Sequence, residues 1–308
     1  MKSKIRIFML APMILSAVGC NKPADNTDKT PVDVVIISGQ SNGVGCSWCD
    51  QITDSMGMTK YEEYLVGYNT IKISFSNWDK GWPTINFQVQ NASRNRFVDV
   101  KLGQGNGSHS FGPEIGIAEA THEKYANKLF LIKFACGGSN LKDDWLDKKN
   151  SPMYPKFIEY IRSQMTLLSE SGYNPTIKAF CWMQGEGDSY NGYYQTYQKN
   201  LKTFVTNVRT DLRDLSGEKE MAFIDAGINN YPARWLYWKE VNDAKIAFAA
   251  ESDNNIYIDT IGAGMHTDVE PRGNIDRDHY DSDSQVLLGH LFAEAFEPFL
   301  MKTNEKES

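Results

Sequence analysis

VVIISGQSNGVG, residues 34–45, joins an unbroken apolar run to a cluster of small and amide residues. Val34, Val35, Ile36 and Ile37 show no polar alternation, which describes a strand covered on both faces, as in a parallel sheet under helices. The run stops at Gly39-Gln40-Ser41-Asn42, so a serine is delivered to the end of that strand. Open parallel sheets bind ligands beyond the C-terminal ends of their strands, which makes this serine a candidate for chemistry.

Other runs have the same character. KLFLIKFAC (128–136), TIKAFCWM (176–183), MAFIDA (221–226) and NIYIDT (255–260) join VDVVIIS (32–38) as near-continuous apolar segments. Between them, apolar residues recur at helical steps: Phe157, Ile161, Met165 and Leu168; Tyr197, Leu201, Phe204, Val208 and Leu212; Leu288, Phe292, Ala295 and Phe299. Gly112-Pro113-Glu114 puts a proline at the start of another helix. This alternation predicts an α/β fold, with a five-stranded parallel sheet and helices on both faces. The strand ends read GQSN (39–42), CGGSN (136–140), MQGEGD (183–188), AGINN (226–230) and DTIGAG (259–264). All are rich in small and amide residues, and all fall on one rim.

Residues 46–110 break the pattern. They carry Trp48, Trp78 and Trp82 and the strand-like pieces TIKISF (70–75) and NRFVDVKL (95–102). The segment is too long for a plain loop and is expected to be a β-rich, substrate-facing insertion over the rim. Its aromatics either stack on sugar rings or pack a local core.

The chain of 308 residues is 41% apolar and 23% charged, which suits one large α/β domain, here assigned to 32–308. Its net charge is −7 and no basic cluster follows the N-terminus, which argues against a nucleic-acid partner. Residues 1–19 have the charged, apolar and small-residue layout of an export signal. Ala17-Val18-Gly19-Cys20 resembles a bacterial lipobox, so Cys20 is the expected lipidation site. NKPADNTDKTP (21–31) then completes a flexible tether over 20–31. The expectation is an exported protein of the bacterial cell envelope, held to a membrane through Cys20. Cys46 and Cys49 read as a loop staple or free thiols, and Cys136 and Cys181 as buried small hydrophobes.

A serine hydroxyl attacks only when a base takes its proton, usually a histidine oriented by a carboxylate. Among the five histidines, His279 stands apart, in NIDRDHYDSDSQ (274–285), before the last helix. Asp276 precedes it by three residues, within reach of one ring nitrogen, with Asp278 as its rival. The amides of Ser41 and Gly138 and the side chain of Gln184 are candidate oxyanion donors, with Asn42 and Asn140 behind them. Asp276, Asp278, Asp281 and Asp283 read first as a solvated acidic loop and second as a structural calcium site, since the EF-hand glycine and distal glutamate are missing.

GQSN, CGGSN with Leu141 and Trp145 behind it, WMQGEGD and DRDHYDSDSQVLLG, in that order, resemble the successive blocks of the SGNH hydrolase superfamily. They are most similar to its sialate O-acetylesterase-like branch, which includes the acetylxylan esterases of carbohydrate esterase family 6. The resemblance spans about Val32 to Phe299. It implies a flavodoxin-like three-layer α/β/α sandwich and removal of acetyl groups from sugars such as xylan or sialic acid, without a metal or cofactor. Ser41 is then the nucleophile, His279 the base and Asp276 its partner, with Gly138 and Gln184 as oxyanion donors. Glu186 and Asp188 match acidic positions expected to support the active-site loops. Two other readings stand beside this one: a non-catalytic glycan-binding envelope protein, and a thioesterase or lipase-like esterase on the same scaffold.

Overall fold

The computed structural model describes residues 29–81 and 83–301. The proposed leader 1–19, Cys20, most of the tether and Trp82 lie outside the described residues. The quoted apolar run becomes strand β1 (Thr30–Gly39), buried from Val32 onward. It takes in Thr30 and Pro31, which the sequence reading gave to the tether.

The remaining strands are β2 (Ser47–Trp48), β3 (Tyr68–Asp79), β4 (Gln88–Ala92), β5 (Val98–Val100), β6 (Ser110–Phe111), β7 (Leu129–Gly137), β8 (Tyr173–Met183), β9 (Ala222–Ala226) and β10 (Asn255–Ile258). One eight-stranded sheet runs β10-β9-β8-β1-β7-β3-β4, with β5 paired to β3. Every pairing from β10 to β3 is parallel, and β4 and β5 meet β3 antiparallel. The five strands foreseen in the sequence are β1, β7, β8, β9 and β10. By themselves they stand in the order 2-1-3-4-5, and the order reverses beside β1. Ser41 therefore leaves the sheet at its topological switch point, the position at which open α/β sheets bind ligands.

The count of five strands is corrected by β3, a sixth parallel strand drawn from the segment read as insertion. Its buried positions include Ser74, Ser76 and Asn77. Ser74 Oγ donates to Gln164, and Asn77 Nδ2 donates to the carbonyls of Gln104 and Gly105. Side-chain hydrogen bonds satisfy this strand in the core, so it lacks the continuous apolar run of its neighbours. NRFVDVKL contributes only the short β5. The small ribbon of β2 and β6 is also built from the insertion.

The apolar stripes fall on helices as their spacing requires. Helix Tyr154–Glu170 buries Phe157, Ile161, Met165 and Leu168, and helix Tyr194–Asp211 buries Tyr197, Leu201, Phe204 and Val208. Helix Ser282–Phe296 buries Leu288 and Phe292. Cys136 and Cys181 are fully buried, and Cys46 and Cys49 are free thiols.

Within the apolar β7, Lys133 is completely buried. Its ammonium donates to the carbonyls of Val44 (3.0 Å) and Gln104 (2.7 Å) and to Glu114 Oε2 (2.7 Å). Burial pulls its pKa down, against the opposing pull of Glu114. Val44 ends the short helix Ser41–Val44, so this lysine pins the turn that carries Ser41.

Candidate active site

The turn after β1 depends on a glycine. Gly39 has φ +137°, and a Cβ there would lie 1.9 Å from the Met183 carbonyl oxygen. Only glycine lets the end of β1 press this closely against β8. Gln40 follows, its N–H donating to Met183 O (2.9 Å) and its Oε1 accepting from Gly187 N (3.0 Å). Ser41 then opens the helix, half-buried.

The neighbouring Asn42 is fully buried and determines what faces Ser41. Its Oδ1 accepts from Tyr280 N (3.1 Å), and its Nδ2 donates to Asp278 O (3.4 Å) and Glu186 Oε1 (2.8 Å). Residues 278 and 280 flank His279, so one side chain grips the histidine's backbone from both sides. Asn42 is therefore a clamp, and its amide is not free to act as an oxyanion donor.

His279 Nδ1 lies 2.6 Å from Asp276 Oδ2. Asp278 turns away and pairs with Arg234 Nε at 2.8 Å, which decides between the two rivals. Desolvation pushes the Asp276 pKa up, but the histidine more than offsets it and the carboxyl stays below its usual value. Burial opposes charge on the His279 ring, yet Cys46 and Asp276 together hold its pKa well above 6.5. Among the described residues no hydrogen bond joins Ser41 Oγ to the imidazole. Such contacts are often long in an unliganded site and tighten with substrate.

Two backbone donors are open at the rim. Neither the N–H of Ser41 nor that of Gly138 has a partner among the described residues. Gly138 is exposed with φ +68°, a conformation that favours glycine. The buried indole of Trp145 donates to Ser139 Oγ, which donates to Cys136 O, and this fixes the turn that presents Gly138.

Gln184 is a correction. It is fully buried, and its Nε2 donates to Gln40 Oε1 (3.2 Å) and Asp188 Oδ2 (2.7 Å). Both amide hydrogens are committed, so it shapes the loops and offers no oxyanion donor. Asn140 Nδ2 donates to Asp143 Oδ2 (3.2 Å) while its Oδ1 accepts from Asp143 N, so this side chain is turned toward the loop it caps.

Glu186 and Asp188 are both fully buried. Asp188 accepts from the N–H groups of Leu141 (2.7 Å) and Lys142 (3.3 Å), tying the third strand end to the second. Burial raises its pKa to about 6. Burial also raises that of Glu186, whose Oε2 has no partner among the described residues.

The acidic loop does not converge. Asp276 serves His279 and Asp278 serves Arg234, while Asp283 Oδ2 lies 3.2 Å from His266 Nε2. Asp281 accepts from His266 Nδ1 and from the N–H groups of Asp268, Val269 and Glu270. His266, Asp268 and Asp281 each bring one ligand atom within 4.8 Å of the others, but the Asp281 carboxylate is already filled by the loop it staples. Trp48 is 37% exposed, with its ring 5.0 Å from that of His109, while Trp78 is only partly exposed and packs against the core.

Residues 31–297 match the family model described as carbohydrate esterase, sialic acid-specific acetylesterase. Among solved structures, a protein from Arabidopsis thaliana shares 21% identity, covering 88% of this chain and 100% of its own, with a TM-score of 0.57. NanS shares 14%, covering 88% and 98%, with a TM-score of 0.58. A carbohydrate acetylesterase from Xanthomonas citri shares 14%, covering 87% of this chain and 56% of its own, with a TM-score of 0.53. Among curated protein sequences none matches this chain significantly. At these identities the structural likenesses speak for the mostly parallel α/β fold.

Proposed function

Because the chain belongs to the carbohydrate esterase, sialic acid-specific acetylesterase family, and so to the carboxylic ester hydrolases, we propose that it removes O-acetyl groups from glycans by Ser41–His279–Asp276 acyl-enzyme chemistry. The observation that supports the mechanism most is the Asn42 clamp, which ties the Asp276–His279 pair to the residue beside Ser41. His279 takes the Ser41 proton as Oγ attacks the acetyl carbonyl. The open amides of Ser41 and Gly138 receive the oxyanion, without Gln184. His279 returns the proton to the departing sugar oxygen, and water then releases acetate by the same route. Substrates are acetylated sugars of the xylan or sialic acid type, with the aromatic pair Trp48 and His109 near the rim as a platform. The N-terminal pattern supports an exported protein anchored at Cys20.

The base must be neutral to accept a proton. Because its pKa lies above 6.5, the acid limb of the kcat/KM profile is expected above that pH, with activity lost as pH falls through it. A limb at or below the ordinary histidine value, measured on a soluble acetyl ester, contradicts this reading.

The substrate class is tested by acetate release from O-acetylated sialic acid, acetylated xylan and esters of longer acids. Release from an acetylated sugar, with little from long acyl chains, is expected. A folded protein that frees acetate from none of them favours glycan binding without hydrolysis.

A further inference from the structure

Arg234 lies in the segment after β9, some forty residues before the catalytic turn. Its Nε pairs with Asp278 Oδ2 at 2.8 Å, and its guanidinium lies beside the rings of Tyr190 (5.6 Å) and Trp235 (5.4 Å), which pack edge-on against each other. Asp278 sits between the members of the Asp276–His279 pair and is held from three directions. Arg234 takes its side chain, Asp276 Oδ1 accepts from its N–H (3.0 Å), and Asn42 donates to its carbonyl.

The two oxygens of Asp276 thus do different things: one meets the His279 ring and the other fixes residue 278. A shift of residue 278 therefore turns the carboxylate that orients the base. The contacts also close a circuit. Tyr190 ends the short helix Glu186–Tyr190, Glu186 at its other end accepts from Asn42, and Asn42 returns to Asp278. Tyr237 N donates to Ser189 Oγ and holds the Arg234 segment to the same helix.

We propose that Arg234 is a positioning residue for the His279 base, acting through Asp278 as a latch between the segment after β9 and the catalytic turn. This rests on the esterase reading above. An exposed ion pair is weak by itself, and Arg234 is half exposed. The two rings beside it order the guanidinium and shield one side of it from water, which strengthens the pair.

The test uses Arg234→Gln, Arg234→Lys, Asp278→Asn and the Gln/Asn double variant in the full chain. Arg234 is exposed, and Asp278→Asn keeps the shape of its half-buried side chain, so the fold stays intact, as circular dichroism will show. On a soluble acetyl ester, Arg234→Gln lowers kcat about five-fold with KM unchanged, and Arg234→Lys stays within about two-fold of the parent. Asp278→Asn and the double variant match Arg234→Gln, because one contact is broken in all three. A KM effect, or losses that multiply in the double variant, makes Arg234 a substrate contact and overturns the latch.

A second readout needs no activity. The downfield proton resonance of His279 Nδ1–H, assigned by its loss in His279→Gln, broadens in Arg234→Gln and is restored in Arg234→Lys. An unchanged resonance overturns the proposal. Should the parent hydrolyse no ester, the esterase reading falls, while this resonance still decides whether Arg234 orders the turn.

Discussion

Ser41→Ala lowers kcat for acetyl-ester hydrolysis by about 10⁴-fold or more, with the fold unchanged. The side chain is half-buried and its Oγ makes no hydrogen bond among the described residues, so deletion removes little packing. On the proposed mechanism it removes the nucleophile, while the backbone amides of residue 41 and Gly138 are left to stabilise the oxyanion and sustain residual turnover. KM moves little for a small ester, whose binding does not use this hydroxyl. Initial-rate kinetics beside a thermal unfolding curve check both halves of the statement. Retention of activity within about ten-fold would shift attention to Cys46, a second nucleophilic side chain near His279. Cys46→Ala is the matching control, and it keeps turnover if Ser41 is the nucleophile.

Lys133→Met is expected to destabilise the protein by about 3–5 kcal/mol, the range for breaking a buried ion pair from one side. Methionine fills much of the same volume but leaves Glu114 without its cation, and the carbonyls of Val44 and Gln104 without their donor. Among the described residues the Glu114 carboxylate then keeps only the N–H of Gly112, at 2.9 Å. Urea unfolding measures the change, and adding Glu114→Gln recovers part of the loss by removing the stranded charge. A loss below about 1 kcal/mol would mean that water reaches the site or that the turn relaxes, and Lys133 would no longer be the pin of the Ser41 helix.

Much of this was legible because each feature is local. The run from Val34 to Ile37 marked β1, and the four other apolar runs marked their strands, because strands covered on both faces carry no polar alternation. Asp276 and His279 are three residues apart, so their pairing is a matter of one turn. Asn42 and Gln184 were not legible in the same way. An amide near a strand end can face substrate or scaffold, and partners distant in sequence made the choice: Asp278 and Tyr280 for Asn42, Gln40 and Tyr197 for Gln184.

Other features did leave signals. A lysine inside KLFLIKFAC has no place between two covered faces unless a buried partner meets it, and Glu114 follows a helix-starting proline nearby. TIKISF was legible as strand-like, but the place of β3 in the parallel sheet was not, because buried serines and an asparagine satisfied by side-chain hydrogen bonds interrupt its apolar run. Arg234 left no signal, since an arginine in a loop is common and its partner lies in another turn.

The most direct measurement is to quench the protein rapidly during turnover of an acetyl ester and locate the acetyl group by peptide mass spectrometry. The mechanism predicts one acetyl group on the peptide carrying Ser41, absent from Ser41→Ala and accumulating where deacylation is slowed, as in His279→Gln with an activated ester. Turnover with no acetyl-protein at any time, or an acetyl group on Cys46 in place of Ser41, would contradict it.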